Sequence, residues 1–316
     1  MKRILVTGAG GQVGAELVPA LRAAYGDDAV LATDIKPLPE SIGQSRILDC
    51  TDAPAMAEAV RAHRADSIYH LAALLSATAE AKPQLGYSLN MGTLMNALEV
   101  AREEKCAVFT PSSIGAFGPT TPRNPTPQDT IQRPTTMYGV TKVAGELLCD
   151  YYHQRYGMDT RGLRYPGLIS YVAPPGGGTT DYAVDIFYQA IGKGSFTCFL
   201  SADTQLDMMY MPDAVRGSIE VMEADPAKLQ HRNAFNVTAM QVTPETLAAE
   251  IRRHIPGFTI EYNVDPMRQA IADSWPQRLD DSASRNEWGW APQYDMSAMT
   301  SEMLTRLGEK LGSQRS

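Results

Sequence analysis

The chain has 316 residues, of which 44% are hydrophobic and 20% are charged, an ordinary globular composition that excludes a fibrous or disordered protein. Its 28 basic and 36 acidic side chains give a formal net charge of −8, which disfavours a nucleic-acid partner. No run of about 18 continuous apolar residues occurs, so we expect no membrane-spanning helix.

The amino terminus has the pattern of a folded strand. Met1–Arg3 lead directly into an Ile-Leu-Val run, whereas a secretory signal needs a longer apolar core and a small-residue cleavage site, so the mature fold is expected to begin at once. The scattered cysteines form no CxxC pair and indicate buried thiols in a reducing, cytoplasmic compartment: Cys50, Cys106, Cys149 and Cys198. The five histidines lack metal-ligand spacing, so we predict no metal.

Short apolar runs alternate with helical patterns as far as residue 165. Strands are predicted at Arg3–Val6, Val30–Thr33, Arg46–Leu48, Ser67–His70, Cys106–Thr110 and Thr160–Leu163. Helices are predicted at Gln12–Ala24, Ala53–His63, Gln84–Glu103 and Tyr138–Tyr156. This alternation predicts an α/β fold with a Rossmann-like, doubly wound parallel sheet, whose ligands bind beyond the carboxyl ends of the strands.

The alternation weakens after Pro166, and Pro174–Gly178 interrupts it. Further helices are predicted near Asp181–Ile191, Asp213–Glu223, Pro244–His254 and Met296–Lys310. We therefore predict two domains. Residues 1–165 form a Rossmann-like domain, with a return to it near residues 212–240. Residues 166–316 form mainly a smaller, irregular α/β substrate domain, and Gly312–Ser316 are expected to fray.

A glycine-rich segment, Gly8-Ala9-Gly10-Gly11-Gln12-Val13-Gly14, joins the first predicted strand to the first predicted helix. Glycines permit a sharp turn close to a pyrophosphate, and a helix amino terminus offers unpaired N–H groups. The GxxGxxG spacing is weak alone, and an ordinary turn is the alternative, but the strand before it and the helix after it favour a dinucleotide site. The predicted cofactor contacts are Gly8, Gly11, Gln12, Val13 and Gly14.

Asp34 ends the second predicted strand, 34 − 14 = 20 residues after Gly14, where a carboxylate can bind the adenosine ribose hydroxyls. Its charge repels a 2′-phosphate, which favours NAD over NADP, although Lys36 nearby is a candidate to accept that phosphate. A solvated strand-end aspartate is the alternative. Asp49 and Cys50, at the next strand end, are candidates to flank the adenine, and a turn-initiating aspartate is nearly as well supported.

Tyr138 and Lys142 are four residues apart, so on a helix both point the same way. Lowering a phenol pKa from about 10 to about 7 takes about 4 kcal/mol. An ammonium about 4 Å away supplies about that much at an effective dielectric of about 20. Ser112 and Ser113 follow the fifth predicted strand, where a hydroxyl can orient a reacting oxygen. Plain helix surface and turn chemistry are the alternatives, but the order of the signals favours a catalytic site.

These motifs, together with His70-Leu71-Ala72-Ala73, resemble the extended short-chain dehydrogenase/reductase superfamily, which includes the NAD-dependent epimerases and dehydratases. The resemblance covers about residues 2–300 and is most specific in the first half. It implies that Tyr138 is the general base, that Lys142 is its partner and a ribose ligand, and that Ser113 anchors the reacting hydroxyl. It also implies cofactor contacts at Leu71, Ala72, Asn90 and Tyr165, and a homodimer.

The second half resembles the short-chain type of L-threonine 3-dehydrogenase, chiefly at Arg164–Tyr171, Pro174–Ala183 and Asp207–Asp213. Pro166-Gly167 stands where sugar-nucleotide epimerases commonly carry an asparagine, which favours a small substrate. The family implies metal-independent oxidation of the L-threonine β-hydroxyl by NAD, giving 2-amino-3-oxobutanoate. An NDP-sugar epimerase or dehydratase and a non-catalytic NAD-binding sensor remain the alternatives.

Candidate substrate contacts follow from the same resemblance. They are Ser76, Ser113, Tyr138, Thr179, Thr180 and Asp181. Asp181 either balances the substrate ammonium or caps the following helix, and the sequence does not decide between the two. Gly176–Gly178 is predicted to be the hinge of a lid that excludes water, with an ordinary flexible loop as the alternative.

Overall fold

The computed structural model describes residues 1–175 and 178–313. Its strands are β1 (Ile4–Thr7), β2 (Val30–Asp34), β3 (Ser45–Ile47), β4 (Ser67–His70), β5 (Ala107–Phe109), β6 (Ser112–Ser113), β7 (Thr160–Arg161), β8 (Leu163–Tyr165), β9 (Gly167–Ile169), β10 (Ser195–Cys198), β11 (Leu206–Tyr210), β12 (Phe235–Asn236), β13 (Met240–Val242) and β14 (Thr259–Tyr262). Its α-helices are α1 (Gly14–Tyr25), α2 (Ala53–His63), α3 (Ser76–Ala81), α4 (Pro83–Glu104), α5 (Met137–Tyr156), α6 (Tyr182–Lys193), α7 (Met211–Glu223), α8 (Pro244–His254), α9 (Pro266–Ser274), α10 (Ser282–Trp288) and α11 (Met296–Ser313).

The main sheet has six parallel strands in the order β3-β2-β1-β4-β5-β7. Every residue of β1 is buried, because helices cover both faces of the sheet. One apolar cluster packs α1 and α7 on one face, and another packs α2, α4 and α5 on the other. The predicted α/β fold with a doubly wound parallel sheet is therefore confirmed, and its strands end together at one edge.

The last strands of the sheet continue past a break. Two predicted strands, Cys106–Thr110 and Thr160–Leu163, are shorter than expected, and the chain resumes as β6 and β8, which pair in parallel with Ser112 opposite Arg164. At the break, a Cβ on Gly162 would come within 2.5 Å of the Thr110 carbonyl oxygen, so the chains approach too closely for a side chain. β12 pairs with β8, which places Phe235 beside the sheet.

The second half of the chain is less regular. β9, β11 and β13 form one small mixed sheet, and β10 pairs with β14. Three short helices, α3, α9 and α10, were not predicted from the sequence. Ala283 and Trp290 pack in the same cluster as β1 and α1, so residues far beyond 240 also contact the first half. Among the described residues, no helix combines the length and apolar character needed to cross a membrane.

Candidate active site

The glycine-rich turn lies between β1 and α1 and approaches the loop after β4. Gly8 has φ +67°, and a Cβ there would come within 2.7 Å of the Ala72 nitrogen. A Cβ on Gly14 would lie 2.6 Å from both the Ala9 Cα and the Gly8 carbonyl oxygen. Val13 precedes α1 without a side-chain hydrogen bond to its first turn within the described structure. A turn whose glycines leave the backbone accessible, beside the uncapped amino terminus of a helix, fits a dinucleotide pyrophosphate.

Asp34 ends β2 at the mouth of this turn. Its Oδ2 accepts a hydrogen bond from the Gly10 N–H at 3.0 Å, and its Oδ1 accepts one from the Lys36 N–H at 3.2 Å. The side chain is only partly buried, so lone pairs remain for a diol ligand. The Lys36 contact uses the backbone nitrogen, and its side chain is exposed.

Asp49 and Cys50 have local roles in the structure. The Asp49 carboxylate accepts the N–H of Thr51 at 2.9 Å and its hydroxyl at 2.8 Å, and these two bonds lower the pKa of Asp49. The Cys50 side chain is buried, and burial raises its pKa to about 11. The geometry therefore favours the turn-initiating alternative for Asp49, and the predicted contact of Asp49 and Cys50 with adenine gains no support.

The loop after β4 is braced from two sides. The Leu71 N–H donates to the Thr7 carbonyl oxygen at 3.2 Å. Asn90, on α4, accepts the Leu74 N–H at 2.7 Å and donates to its carbonyl oxygen at 3.1 Å. Asn90 also donates to Thr141 Oγ1 on α5 at 3.2 Å. Asn90 therefore holds this loop against α5, and its predicted contact with the cofactor stays a prediction.

His70 is buried at the end of β4, and its Nδ1 shares a hydrogen bond of 2.9 Å with Thr7 Oγ1. Burial, and to a smaller degree the charge of Lys142, lower the pKa of His70 to about 4. A neutral, hydrogen-bonded histidine next to the sheet fits a structural role and not a catalytic one.

The structure brings Tyr138, Lys142 and Ser113 together. Tyr138 lies in the first turn of α5, which Thr136 caps by accepting the Gly139 N–H at 3.1 Å. A Cβ on Gly115 would lie 3.2 Å from Cδ1 and Cε1 of Tyr138 and 3.5 Å from Ser113 Oγ, so the phenol ring and the serine face the same glycine.

Lys142 lies one helical turn farther along α5. Its Nζ is 5.4 Å from the ring centroid of Tyr138 and donates to the Pro111 carbonyl oxygen at 2.7 Å. An ammonium group has three donors, so the bond to Pro111 leaves two for a ligand.

The substrate candidates lie on two segments. Ser76 begins α3, and Glu80 on that helix accepts the Met137 N–H at 2.9 Å, which holds α3 against the start of α5. On the other segment, Thr179 is buried, and Thr180 packs on Gly167, where a Cβ would meet the Thr180 Cγ2 at 2.8 Å. Glu80 was not predicted, because its partner lies 57 residues away.

Asp181 does not act as the predicted side-chain cap of α6 within the described part of the chain. Its Oδ2 instead accepts the Gly178 N–H at 2.8 Å, so it fastens the end of the glycine run. Gly176 and Gly177, part of the predicted lid hinge, lie outside the described residues.

The side chain of Tyr165, a predicted cofactor contact, lies in the core. Tyr165 is 5% exposed, packs in the cluster of β1 and α1, and shares a hydrogen bond with Ser218 on α7. Its phenol therefore points into the core, and a cofactor can meet only its backbone. Burial raises the pKa of Tyr165 well above its usual range.

Comparison with known proteins decides the family. A model of the NAD dependent epimerase/dehydratase family matches residues 4–238. The chain belongs to this family. The resemblance inferred from the motifs is confirmed, and the family implies an NAD(P) cofactor. A relative from Staphylococcus haemolyticus, described as an uncharacterised epimerase/dehydratase, is 56% identical over 314 residues, covering 98% of this chain and 99% of the relative.

Several solved structures that resemble nearly the whole chain are those of L-threonine dehydrogenases. The L-threonine dehydrogenase of Clostridium difficile is 54% identical, with a TM-score of 0.96 and coverage of 98% of both chains. The GalE-like L-threonine dehydrogenase of Cupriavidus necator in its holo form is 50% identical, with a TM-score of 0.95, covering 96% of this chain and 99% of that one. Its apo form scores 0.85, so the described arrangement is more similar to the holo form.

Proposed function

We propose that this protein is a metal-independent L-threonine 3-dehydrogenase that uses NAD. The observation that carries the proposal is the likeness of nearly the whole chain, at about half identity, to structures named as L-threonine dehydrogenases. A constellation of Tyr138, Lys142 and Ser113 supports it from the chemical side. The described residues also contain no group of three His, Cys, Asp or Glu side chains suited to a metal ion.

The cofactor proposal rests on the glycine cradle and on Asp34. Gly8, Gly11 and Gly14, with the N–H groups of Gln12 and Val13, would hold the pyrophosphate at the start of α1. Asp34 would bind the adenosine ribose, and its charge disfavours NADP. Bound NAD supplies a hydride acceptor; orientation and proton transfer come from the protein.

The protein's own groups handle the proton. Tyr138 is the base that takes the proton of the substrate β-hydroxyl, and Ser113 holds the same oxygen by a hydrogen bond. Bound NAD would accept the hydride of the Cβ–H bond, and loss of this hydride and of the hydroxyl proton would leave the ketone of 2-amino-3-oxobutanoate. Lys142 would stabilise negative charge on the Tyr138 oxygen during proton transfer and would hold the nicotinamide ribose.

The remaining substrate contacts are proposed for the two segments that flank this site. Ser76, Thr179 and Thr180 would bind the carboxylate and ammonium groups of the amino acid, and Thr180 packs beside Gly167. Asp181 balances the ammonium group or only fastens Gly178, and its Oδ2 already performs the second task. Closure of the segment that contains Thr179, Thr180 and Asp181 would exclude water and align the β-carbon for hydride transfer.

A homodimer through α4 and α5 is part of the proposal. These helices pack side by side, and their outer faces carry exposed apolar side chains. Val140, Leu147 and Tyr151 recur on one side of α5, and Leu147 is 63% exposed, while Tyr87 lies exposed on α4. A contiguous apolar surface of this kind is typical of an interface between subunits. Leu147→Glu should therefore produce a monomer in sedimentation analysis, and a parent that is monomeric at micromolar concentration would refute the dimer.

The deciding experiment mixes the protein with NAD and each member of a panel of β-hydroxy amino acids, and follows NADH formation. The proposal predicts the highest kcat/KM with L-threonine. Greater turnover of another β-hydroxy amino acid would correct the substrate and keep the reaction class. The curated relatives are named as epimerase/dehydratases, which keeps the NDP-sugar epimerase or dehydratase expected as an alternative from the sequence as the second candidate. Conversion of a sugar nucleotide without net NADH, together with no NADH from threonine, would establish that candidate instead.

A further inference from the structure

Helix α5 carries a third functional group on the face that bears Tyr138 and Lys142. Glu146 follows Lys142 by four residues, as Lys142 follows Tyr138, so the three side chains form one row along the helix. Glu146 is 5% exposed and lies one turn deeper than Lys142. A carboxylate buried to this degree requires partners for both of its oxygens.

Four hydrogen bonds satisfy the Glu146 carboxylate. Oε2 accepts from Gln132 Nε2 at 2.7 Å and from Arg164 Nη2 at 2.8 Å. Oε1 accepts from Arg164 Nε at 3.1 Å and from the Ser112 hydroxyl. The two bonds from the guanidinium fix both the distance and the plane of the carboxylate.

Arg164 is anchored independently of Glu146. It is 6% exposed, and its Nη1 donates to the Gln128 carbonyl oxygen at 2.8 Å and to Asn236 Oδ1 at 3.1 Å. Its guanidinium lies 5.2 Å from the ring centroid of Phe117. Arg164 also belongs to β8, directly opposite Ser112 in β6. The ion pair therefore ties α5 to β8, the strand that pairs with the one carrying the serines.

We infer that Glu146 is a positioning residue that sets Ser113 against Tyr138 through its hydrogen bond to Ser112. Successive strand residues point to opposite sides, so when Ser112 turns towards Glu146, Ser113 turns the other way, where Gly115 lies between its hydroxyl and the Tyr138 ring. The carboxylate and the base share one helix, so this bond fixes β6 relative to the row that contains Tyr138.

A purely structural role is the alternative to be tested. Buried ion pairs often add little net stability, because the desolvation of both charges offsets their attraction. Alignment, in contrast, is sensitive to small shifts, and a displacement of about 1 Å can lower a rate about a hundredfold. The two roles therefore differ in what the loss of the Ser112 hydroxyl does to kcat.

The test compares two buried serines of the same network. Ser112→Ala removes one donor to Glu146 but leaves Arg164 and Gln132 in place, so the ion pair stays satisfied. Ser284→Ala is the matched control, because its buried hydroxyl donates to the Asn236 carbonyl oxygen at 2.6 Å, away from α5. Both variants lose one buried hydroxyl and one hydrogen bond.

The inference rests on the proposed function, and its expected result is a split between the two variants. Ser112→Ala should lower kcat for threonine oxidation by about tenfold to a hundredfold, with the KM for NAD within about twofold of the parent. The primary isotope effect with threonine deuterated at Cβ should rise, because hydride transfer becomes more limiting. Ser284→Ala should keep kcat within about twofold, and Ser112→Thr, which restores the hydroxyl, should recover most of the loss.

Equal losses in Ser112→Ala and Ser284→Ala would overturn the positioning role and leave threonine oxidation standing. A parent protein that makes no NADH from threonine would overturn the proposed function alone. In that case crystal structures of the parent and both variants decide the positioning role. The separation of Ser113 Oγ from Tyr138 Oη should then increase only in Ser112→Ala, and an unchanged separation refutes it.

Discussion

Gly139 provides a direct test of how tightly the start of α5 must approach the Ser113 turn. A Cβ on this residue would lie 2.2 Å from the Gly115 carbonyl oxygen and 2.4 Å from Pro134 Cβ, whereas ordinary contacts begin near 3.4 Å. Gly139→Ala therefore requires a local displacement of 3.4 − 2.2 = 1.2 Å. Tyr138 is the adjacent residue on the helix, so its ring should move away from Ser113 by a similar distance.

The expected size of the Gly139→Ala effect follows from two opposing contributions to the free energy of unfolding and from one effect on kcat. Alanine is favoured over glycine inside a helix by about 1 kcal/mol, and overpacking costs about 1–3 kcal/mol, so the net destabilisation should be at most about 2 kcal/mol. A misplacement of about 1 Å should lower kcat about a hundredfold, which corresponds to about 2.7 kcal/mol in the activation free energy. The variant should thus remain folded and be nearly inactive.

The assay measures initial rates of NADH formation at saturating threonine and NAD, with urea denaturation as the check on folding. Gly192→Ala on α6 is the control, because a Cβ there would meet no described atom within 4 Å. It should retain full kcat and gain up to about 1 kcal/mol of stability. A Gly139→Ala protein with kcat within about twofold of the parent would refute the claim that this contact places Tyr138.

Four further outcomes are expected. Tyr138→Phe should lower kcat by about 10²–10⁴-fold, while calorimetry finds NAD binding unchanged; near-normal turnover would refute the assigned base. Asp34→Ser should weaken NAD binding by roughly tenfold to a hundredfold and improve NADP binding. Burial raises the pKa of Glu16 to about 7, so its contribution to stability is complete below about pH 4.5 and is lost as the pH rises through 7. Glu16→Gln should therefore be more stable than the parent above pH 7, by up to about 3 kcal/mol in urea denaturation. Dialysis against a chelator should leave activity unchanged, and a loss would indicate a metal.

The sequence predicts those parts of the site that depend on residues close together in the chain. Gly8 and Gly14 can be recognised because a strand, a turn and a helix follow one another within a few residues, and Lys142 because helical spacing places it on the face of Tyr138. Asp34 follows from the length of one strand–helix–strand unit. The structure places each of these residues at the carboxyl edge of the sheet, as expected from the parallel topology.

Contacts between distant segments account for what the sequence did not predict. Both faces of β8 are buried, so strand alternation cannot tell whether Tyr165 faces a ligand or the core, and its partner Ser218 lies 53 residues away. Glu146 looks like an ordinary solvated helix residue until Arg164 is known to lie opposite it. Asp49 was ambiguous for another reason, because an exposed strand-end carboxylate suits a turn as well as a ligand.

The burial of the Arg164–Glu146 pair would allow one helix to serve both the proposed assembly and the proposed catalysis. The outer face of α5 exposes Leu147 and Tyr151, which the proposed dimer would bury, and a helix held only by such contacts would shift when the interface shifts. The inner row is fixed from within the same subunit, through Glu146 to a strand of its own sheet. On the proposed roles, Tyr138 takes its position from β6 and β8, and a dimer contact would add rigidity without having to define the geometry of the reacting groups.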